Sequence, residues 1–312
     1  MASRHLGNER WQSHGTEPLR PLLLTPGDNM THPRIRSDRH AGVVVPRKAL
    51  LGTVAAVLIA LLEPRLSVAE DTPDIVKQSQ NPVASLISVP VQNNLEFGVG
   101  PKGEQADVLN LEPVIPLHLT ADWNLITRTI VPFLYEPYLG PGVGNTGGLG
   151  DINFSMYLSP AKTGTLIWGV GPSVTFPTAS EHLLGQGKYS AGLSGAALSI
   201  RGPWVLGVLL TDVSSVGGEV NRKNVNQMLI QPFMDLNFSH GWYLASSPMI
   251  TADWKAQSAN RWTVPIGGGG GRLFLIGRQA INASLHAYGN VVQGHEAGTW
   301  TLRAEIQLLF PK

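Results

Sequence analysis

The chain has 312 residues, of which 14% are charged and 35 are glycines, and its formal net charge is +1. The charged fraction lies well under the roughly 25% of ordinary soluble domains. Because the chain has no cysteine, disulfide scaffolds, thiolate metal sites and cysteine catalysis are excluded. The nearly neutral charge gives no reason to expect nucleic acid as a partner.

Residues 47–69 have the pattern of a Sec signal peptide. Arg47 and Lys48 precede an apolar run at 49–62, and 67–69 (Ser-Val-Ala) form a small-x-small cleavage site. A transmembrane anchor is the alternative, but the apolar run is shorter than the roughly 20 residues that a spanning helix needs. We therefore expect export by the Sec route, with cleavage after Ala69.

Residues 1–46 precede the signal peptide and carry arginines and prolines without periodicity. Two interpretations stay open for this N-terminal extension. The assigned start lies too far upstream and Met30 is the true start, or the extension is a disordered cytoplasmic leader. In both cases these residues take no part in the folded domain.

Residues 70–92 are predicted to form a periplasmic N-terminal segment that contains a short helix. The helical pattern runs over 73–87, with Pro73 at a position that favours a helix start. We expect Pro82 to interrupt it, because proline breaks the helical hydrogen-bond ladder.

From residue 93 to residue 312 the pattern has period two, which predicts strands with one apolar and one polar face. In 151–158, for example, Ile152, Phe154 and Met156 share one face, and Asn153 and Ser155 the other. Most of the strands are near the 9–11 residues that cross a bilayer when tilted. The twelve predicted strands are 93–100, 107–117, 123–135, 149–159, 166–177, 189–200, 204–216, 225–238, 242–254, 261–272, 279–292 and 300–310.

The connections alternate in length. Short turns such as 201–203 and 239–241 alternate with mostly longer loops such as 136–148 and 178–188. Sorting of this kind is typical of outer-membrane barrels, whose short turns face the periplasm. We therefore predict an all-β fold, a transmembrane antiparallel β-barrel of about 12 strands over 93–312, in the outer membrane of a Gram-negative bacterium.

Tryptophans and prolines refine this prediction. Seven tryptophans lie near strand ends, as expected of the aromatic girdles at the two membrane interfaces. They are Trp123, Trp168, Trp204, Trp242, Trp254, Trp262 and Trp300. Prolines inside strands predict local bulges, because proline cannot donate to a ladder. They are Pro113, Pro116, Pro132, Pro172, Pro232, Pro248 and Pro265.

The polar faces of the strands predict a polar lumen, open or occluded, since a barrel of about twelve strands is intermediate in size. Acids outnumber bases in this lining, which favours cations over anions. The predicted lumen-lining residues are Asn110, Glu112, Arg128, Asp151, Asn153, Gln231, Asp235, Asn237, Asp253, His286, Arg303, Glu305 and Gln307.

Several sequence blocks resemble one family of bacterial proteins. They are similar to outer-membrane β-barrels of the phenol-degradation MetA-pathway type, whose members are often labelled transporters and sometimes "neuromedin U". The resemblance covers nearly all of 75–312 and implies a proteobacterial outer-membrane barrel that takes up apolar aromatic compounds. The blocks are NPVASLISVP (81–90), QNN (92–94), WNLITRTIVP (123–132), GLGDIN (148–153), WGVGP (168–172), QPF (231–233) and GWYL (241–244).

The leading functional prediction is passage of a small solute through an outer-membrane channel. A barrel-wall lipid hydrolase and a plugged structural or adhesion barrel are the alternatives. No serine–histidine or metal-ligand spacing stands out, so we predict no catalytic residues, no metal and no cofactor. The expected partners are outer-membrane lipid, the solute and, through the C-terminal strand, the barrel-assembly machinery.

We predict that the mature protein begins at Glu70, because the small-x-small site ends at Ala69. Mass spectrometry of the protein isolated from outer membranes measures this terminus directly. An intact terminus at Met1 or at Met30 would contradict the predicted cleavage.

Overall fold

A computed structural model describes residues 72–137, 145–162, 164–294 and 297–311. The predicted N-terminal extension and signal peptide, residues 1–69, lie outside these ranges, and so does the cleavage site. No helix within the described ranges has the length and apolar content to cross a membrane.

The described residues form one short α-helix, three 3₁₀ helices and fifteen strands that pair antiparallel in a single sheet. The α-helix is α1 (Thr72–Ser79). The 3₁₀ helices are His182–Leu184, Ser239–Gly241 and Ser258–Asn260. The strands are β1 (Ile87–Val99), β2 (Glu104–Leu111), β3 (Val114–His118), β4 (Trp123–Glu136), β5 (Thr146–Leu149), β6 (Ile152–Pro160), β7 (Ile167–Phe176), β8 (Lys188–Arg201), β9 (Trp204–Gly218), β10 (Asn226–Asn237), β11 (Trp242–Ser246), β12 (Ile250–Asp253), β13 (Trp262–Ile276), β14 (Gln279–Val292) and β15 (Trp300–Phe310).

The sheet closes on itself where its first and last strands meet. β1 pairs antiparallel with β15, from Ile87 opposite Phe310 to Phe97 opposite Trp300. In the described part of the chain, β2 continues as β3 and β11 as β12, each pair with the same two neighbours, and β5 continues as β6 along β4. The wall is therefore a closed barrel of twelve antiparallel strands, and the predicted fold class and strand number are confirmed.

The predicted irregularity at prolines is present at some positions and absent at others. Pro113 lies in the break between β2 and β3, and Pro248 in the break between β11 and β12. Pro265 stands at a register shift between β13 and β14. At these places the missing N–H interrupts the ladder. The prolines that lie inside continuous strands are Pro116, Pro132, Pro172 and Pro232.

Side chains alternate between the outer and the inner face of the wall. In β6, Leu158 points outward and is 40% exposed, whereas the neighbouring Tyr157 points inward and is 2% exposed. We call the end with Ile87 and Phe310 the proximal end, and the opposite end the distal end. The inner face is apolar near the proximal end and polar toward the distal end.

The segment before β1 enters the proximal end of the barrel. Val76 of α1 is buried and packs with Leu273 and Leu309 of the wall. Val83 is also buried and packs against Ile126 on another side of the barrel. The apolar core therefore lies inside the proximal end, between the wall and the segment 76–86.

The structure corrects the boundary between this segment and the barrel. β1 begins at Ile87, whereas the sequence analysis began the first strand at residue 93 and assigned 70–92 to the periplasmic segment. Residues 87–92 pair with β15 and belong to the wall. The alternation of Ile87, Val89 and Val91 extends the strand back to residue 87. Asn93 then interrupts the apolar outer face, where its side chain donates a hydrogen bond to the Asp107 carboxylate. The predicted short helix is present and ends at Ser79, before Pro82.

We predict that Leu210→Arg destabilises the barrel in lipid by roughly 2–4 kcal/mol, because an arginine near the midplane of the outer face lies in hydrocarbon. Leu210 lies in the middle of β9 and is 42% exposed. The matched control is Gln231→Arg on the inner face of β10, for which we expect a much smaller loss. Unfolding titrations in lipid vesicles measure both free energies. Equal losses would mean that the two faces are assigned wrongly.

Candidate functional site

The structure places the residues predicted to line the lumen on the inner face or at the distal rim of the barrel. Asn110 lines a distal cavity. Asn153 and Asn237 lie on the inner face outside both cavities, and Asp151 and Asp253 lie at the rim. The residues that meet around one proximal cavity are Glu112, Arg128, Gln231, Asp235, His286, Arg303, Glu305 and Gln307.

The proximal cavity has a volume of about 190 Å³ and contains charges of both signs. Arg128 of β4 forms an ion pair with Glu112, with 2.5 Å between Nη2 and Oε2. Both side chains are largely buried, so the pair lies away from bulk water. Because a buried charge is costly unless it is paired, this contact stabilises Glu112 and Arg128 together. Asp235 and Glu305 are the other carboxylates around the cavity.

Arg303 separates the proximal cavity from the distal cavity. Its Nε donates to Asn94 Oδ1 at 2.9 Å, and its Nη1 donates to the Ser247 carbonyl at 3.0 Å. The guanidinium also lies 4.8 Å from the ring centroid of Tyr288. Arg303 and Met249 line both cavities, so together they form the partition between them.

The partition depends on the break between β11 and β12. Ser247 and Met249 flank Pro248, so this stretch leaves the ladder and carries Met249 into the lumen. The Ser247 N–H donates to the Tyr288 hydroxyl at 3.1 Å, which satisfies a backbone donor that the ladder cannot use. The partition is therefore built from a proline break and two inward side chains, Arg303 and Met249, and Tyr288 supports it through its contacts with Ser247 and Arg303.

The distal cavity is smaller, about 80 Å³, and its lining carries hydroxyls and amides but few charges. Asn94 and Asn110 contribute amides from β1 and β2, and Thr251 and Thr263 contribute hydroxyls from β12 and β13. Leu229 supplies an apolar surface. The two cavities thus follow one another along the lumen, the distal one mostly uncharged and the proximal one charged.

The N-terminal segment forms the proximal floor of this arrangement. Residues 78–82 line the proximal cavity on its proximal side. The Gln80 side chain exchanges hydrogen bonds with Asn237 at 2.9 and 3.1 Å, and Gln307 Nε2 donates to the Ser79 carbonyl at 3.5 Å. The segment is therefore bonded to the wall as well as packed against it.

A loop closes part of the distal end. Residues 177–187 connect β7 to β8 and fold back so that Leu184 is fully buried. Leu184 packs against Val108 and Leu134, which are inward-facing wall residues of β2 and β4. The Asp151 carboxylate accepts hydrogen bonds from the backbone N–H groups of Ala179 at 3.2 Å and of Gln186 at 2.6 Å. The loop is thus held over the lumen.

Arg222, in the loop between β9 and β10, holds the same segment from the other side. Its guanidinium donates to the carbonyls of His182 and Gln186, each at 3.0 Å, and to that of Gly185. Burial lowers the pKa of this guanidinium below its usual range, while the nearby Glu219 carboxylate acts in the opposite direction. We call the contacts of Arg222 and Asp151 with this loop the distal clasp.

The predicted girdle tryptophans lie at the two ends of the wall. Trp123 and Trp168 meet edge to face near the proximal end, with ring centroids 6.1 Å apart. Trp254 and Trp262 meet in the same way at the distal end, 5.6 Å apart. The remaining three also lie at strand ends, namely Trp204, Trp242 and Trp300.

Sequence reasoning missed several side chains of the lumen. Gln92 and Asn94 line the cavities but lay at the misplaced start of the first strand. Their alternation with Val91 and Leu95 is the signal that could have found them. No local pattern marks Leu184 of the loop 177–187, because its burial depends on wall residues far away in the chain.

Comparison with known proteins supports the fold. No family model matches the chain, and no curated protein matches it. The COG4313 outer membrane channel from Pseudomonas putida F1 is 16% identical with a TM-score of 0.57, and the match covers 72% of this chain and 96% of that chain. The two chains share a closed antiparallel β-barrel fold.

Two further solved structures match with lower TM-scores. The NanC porin is 9% identical with a TM-score of 0.47, over 72% of this chain and 100% of that chain. Outer membrane phospholipase A from Escherichia coli is 11% identical with a TM-score of 0.37, over 72% of this chain and 92% of that chain.

The histidines of the described residues bear on the hydrolase alternative. His118 bonds to Asn124 at 2.9 Å, and His182 contacts Arg222. His286 faces the lumen, and its ring nitrogens have no hydrogen-bond partner. Across the described ranges, no serine hydroxyl is hydrogen bonded to a histidine. The nucleophile–base contact that a serine hydrolase requires is therefore not formed by these residues.

We predict that Arg222→Ala loosens the distal loop, because three backbone carbonyls lose a charged donor. Amide hydrogen exchange within 177–187 should accelerate about tenfold or more, since a hydrogen bond to a charged group contributes about 1.5–3 kcal/mol. Arg201→Ala, at the exposed proximal end of β8, is the control and should leave exchange in this loop unchanged. Identical exchange in both variants would show that Arg222 does not hold the loop.

Proposed function

We propose that the protein is an outer-membrane channel for a small solute, with its proximal end toward the periplasm. The observation that carries this proposal is the series of two cavities inside a closed barrel. The N-terminal segment lines the proximal cavity, and the loop 177–187 packs through Leu184 on Val108, which lines the distal cavity. A passage can therefore open without breaking the ladder if these two inserted segments and the side chains of Arg303 and Met249 move.

The lining supports a solute with both apolar and polar parts. Leu209, Phe233 and Val114 give the proximal cavity an apolar side, and Gln231 and Ser284 give it polar groups. The sequence resemblance to the phenol-degradation MetA-pathway type implies an apolar aromatic solute. We include that substrate class, and membership of that family, in the proposal.

The proposed location follows from the signal peptide and the outer face. Sec export with cleavage after Ala69 would deliver the chain to the periplasm. The barrel-assembly machinery would then engage the C-terminal strand β15, which ends at Phe310. Outer-membrane lipid would cover the apolar outer face, with the tryptophan girdles at the interfaces.

A plugged structural or adhesion barrel is the second candidate. The packing of Val76 and Val83 inside the proximal end favours it, because a permanently bonded segment would block the lumen. The barrel-wall hydrolase has no such support, and we propose no enzymatic activity. Conductance measurements separate the channel from the plugged barrel.

We predict that deleting residues 72–85 raises the conductance of the protein in planar bilayers, because this segment fills the proximal end. The current should prefer cations weakly, since carboxylates outnumber guanidinium groups around the proximal cavity. Single-channel recordings and reversal potentials measure both properties.

The control for this deletion is Asp74→Asn, an exposed position on α1, which should conduct like the unmodified protein. Equal conductance of the deletion variant and the unmodified protein would show that the segment does not limit passage. No current from either protein would favour the plugged structural barrel, and a clear anion preference would contradict the lumen assignment.

A further inference from the structure

The proximal cavity has two carboxylates that accept no hydrogen bond from the described residues. Arg128 is paired with Glu112, and Arg303 is bonded to Asn94 and Ser247. Both guanidinium groups attract Glu305 through space, but neither donates a hydrogen bond to it. Asp235 is 7% exposed and Glu305 is half-buried. Because a carboxylate with little access to water is costly without donors, the cavity offers two strong acceptor groups to whatever occupies it.

A second observation is independent of these acids. His286 is 7% exposed, and neither of its ring nitrogens has a hydrogen-bond partner among the described residues. Gln92 is 6% exposed, and its Nε2 has no partner in the same ranges. Both side chains line the proximal cavity. Buried polar groups in native proteins are hydrogen bonded in the great majority of cases, so such a group next to a cavity points to a bound molecule.

The register of the wall brings these groups together. Gln92 stands directly opposite Glu305 in the β1–β15 ladder. His286 stands opposite Arg303 in the β14–β15 ladder, two positions along β15 from Glu305. All of them face inward. Asp235 reaches the same cavity from β10, so the unsatisfied groups come from separate parts of the wall and converge on one volume.

The remaining lining of the cavity is apolar on one side. Phe233, Leu209 and Val114 pack around the buried core cluster that includes Ile126 and reach the cavity from there. A cavity of about 150 Å³ is large enough for benzene, so about 190 Å³ accommodates a small apolar group together with one polar head.

We propose that the proximal cavity binds a small organic ammonium ion, whose head is held by Asp235 and Glu305 and whose apolar part lies against Phe233. An ammonium group supplies the hydrogen-bond donors that both carboxylates lack, and the His286 ring offers a further polar contact. An anion would meet Asp235 and Glu305, while Arg128 is paired with Glu112 and Arg303 is bonded to Asn94 and Ser247. A metal ion lacks a ligand set, since the described residues contain no group of three or more metal-binding side chains.

This inference rests on the proposed channel function and names a substrate class for it. The test is isothermal titration of the mature protein in detergent micelles with butylammonium and with butan-1-ol, in an excess of potassium chloride. Butylammonium should bind about tenfold more tightly than the alcohol or better, because charge-assisted hydrogen bonds are roughly twice as strong as neutral ones. This comparison needs no variant.

Variants then locate the site. Asp235→Asn and Glu305→Gln should each weaken butylammonium binding about tenfold, because each removes one charged acceptor. Asp122→Asn, at an exposed carboxylate in a proximal turn, is the matched control and should bind like the unmodified protein. Migration of unheated protein on a gel shows that each variant is folded.

Equal binding of the amine and the alcohol would overturn the proposal, and so would unchanged binding in both cavity variants. Loss of binding in an excess of potassium would also overturn it, because the site would then be one for simple cations. The channel function is tested separately by conductance, so a protein that conducts without binding butylammonium would refute this inference alone.

Discussion

Every backbone N–H and C=O of a wall in hydrocarbon has to be satisfied within the wall, because lipid offers no hydrogen-bond partners. The pairing of β1 with β15 meets this requirement, since it removes the two edges that an open sheet would expose. The same pairing also sets which side chains meet inside. With Ile87 opposite Phe310, Gln92 lies opposite Glu305 and Asn94 lies opposite Arg303. The pairing that closes the barrel therefore also determines which of these side chains are neighbours in the lumen.

Closure leaves an interior that the wall side chains do not fill. Small barrels of eight strands can be packed by their own side chains, whereas twelve strands enclose more space. Here the chain fills the two ends with segments that are not strands, with Val76 and Val83 at the proximal end and Leu184 at the distal end. Between these insertions the lumen keeps its two cavities.

Period two in the sequence encodes the face of each wall residue, which is why the strands and the inward positions of β14 and β15 could be predicted. Alternation is a local property and survives without knowledge of the partners. The insertions could not be predicted in the same way. Leu184 is buried by Val108 and Leu134, and Arg222 bonds to carbonyls far from it in the chain. Such contacts depend on the closed wall, which no short window of sequence contains.

Stability alone does not account for the polar groups in the proximal cavity. A well-packed apolar cluster in the place of buried charges is often as stable or more stable. The apolar clusters around Ile126 and Leu273 show that this wall can form such packing close by. His286 and Gln92 nevertheless have buried nitrogen atoms without hydrogen-bond partners among the described residues, and Asp235 lies buried beside the same cavity. A cost of this kind is offset when a ligand supplies the missing partners, so binding explains these residues better than folding does.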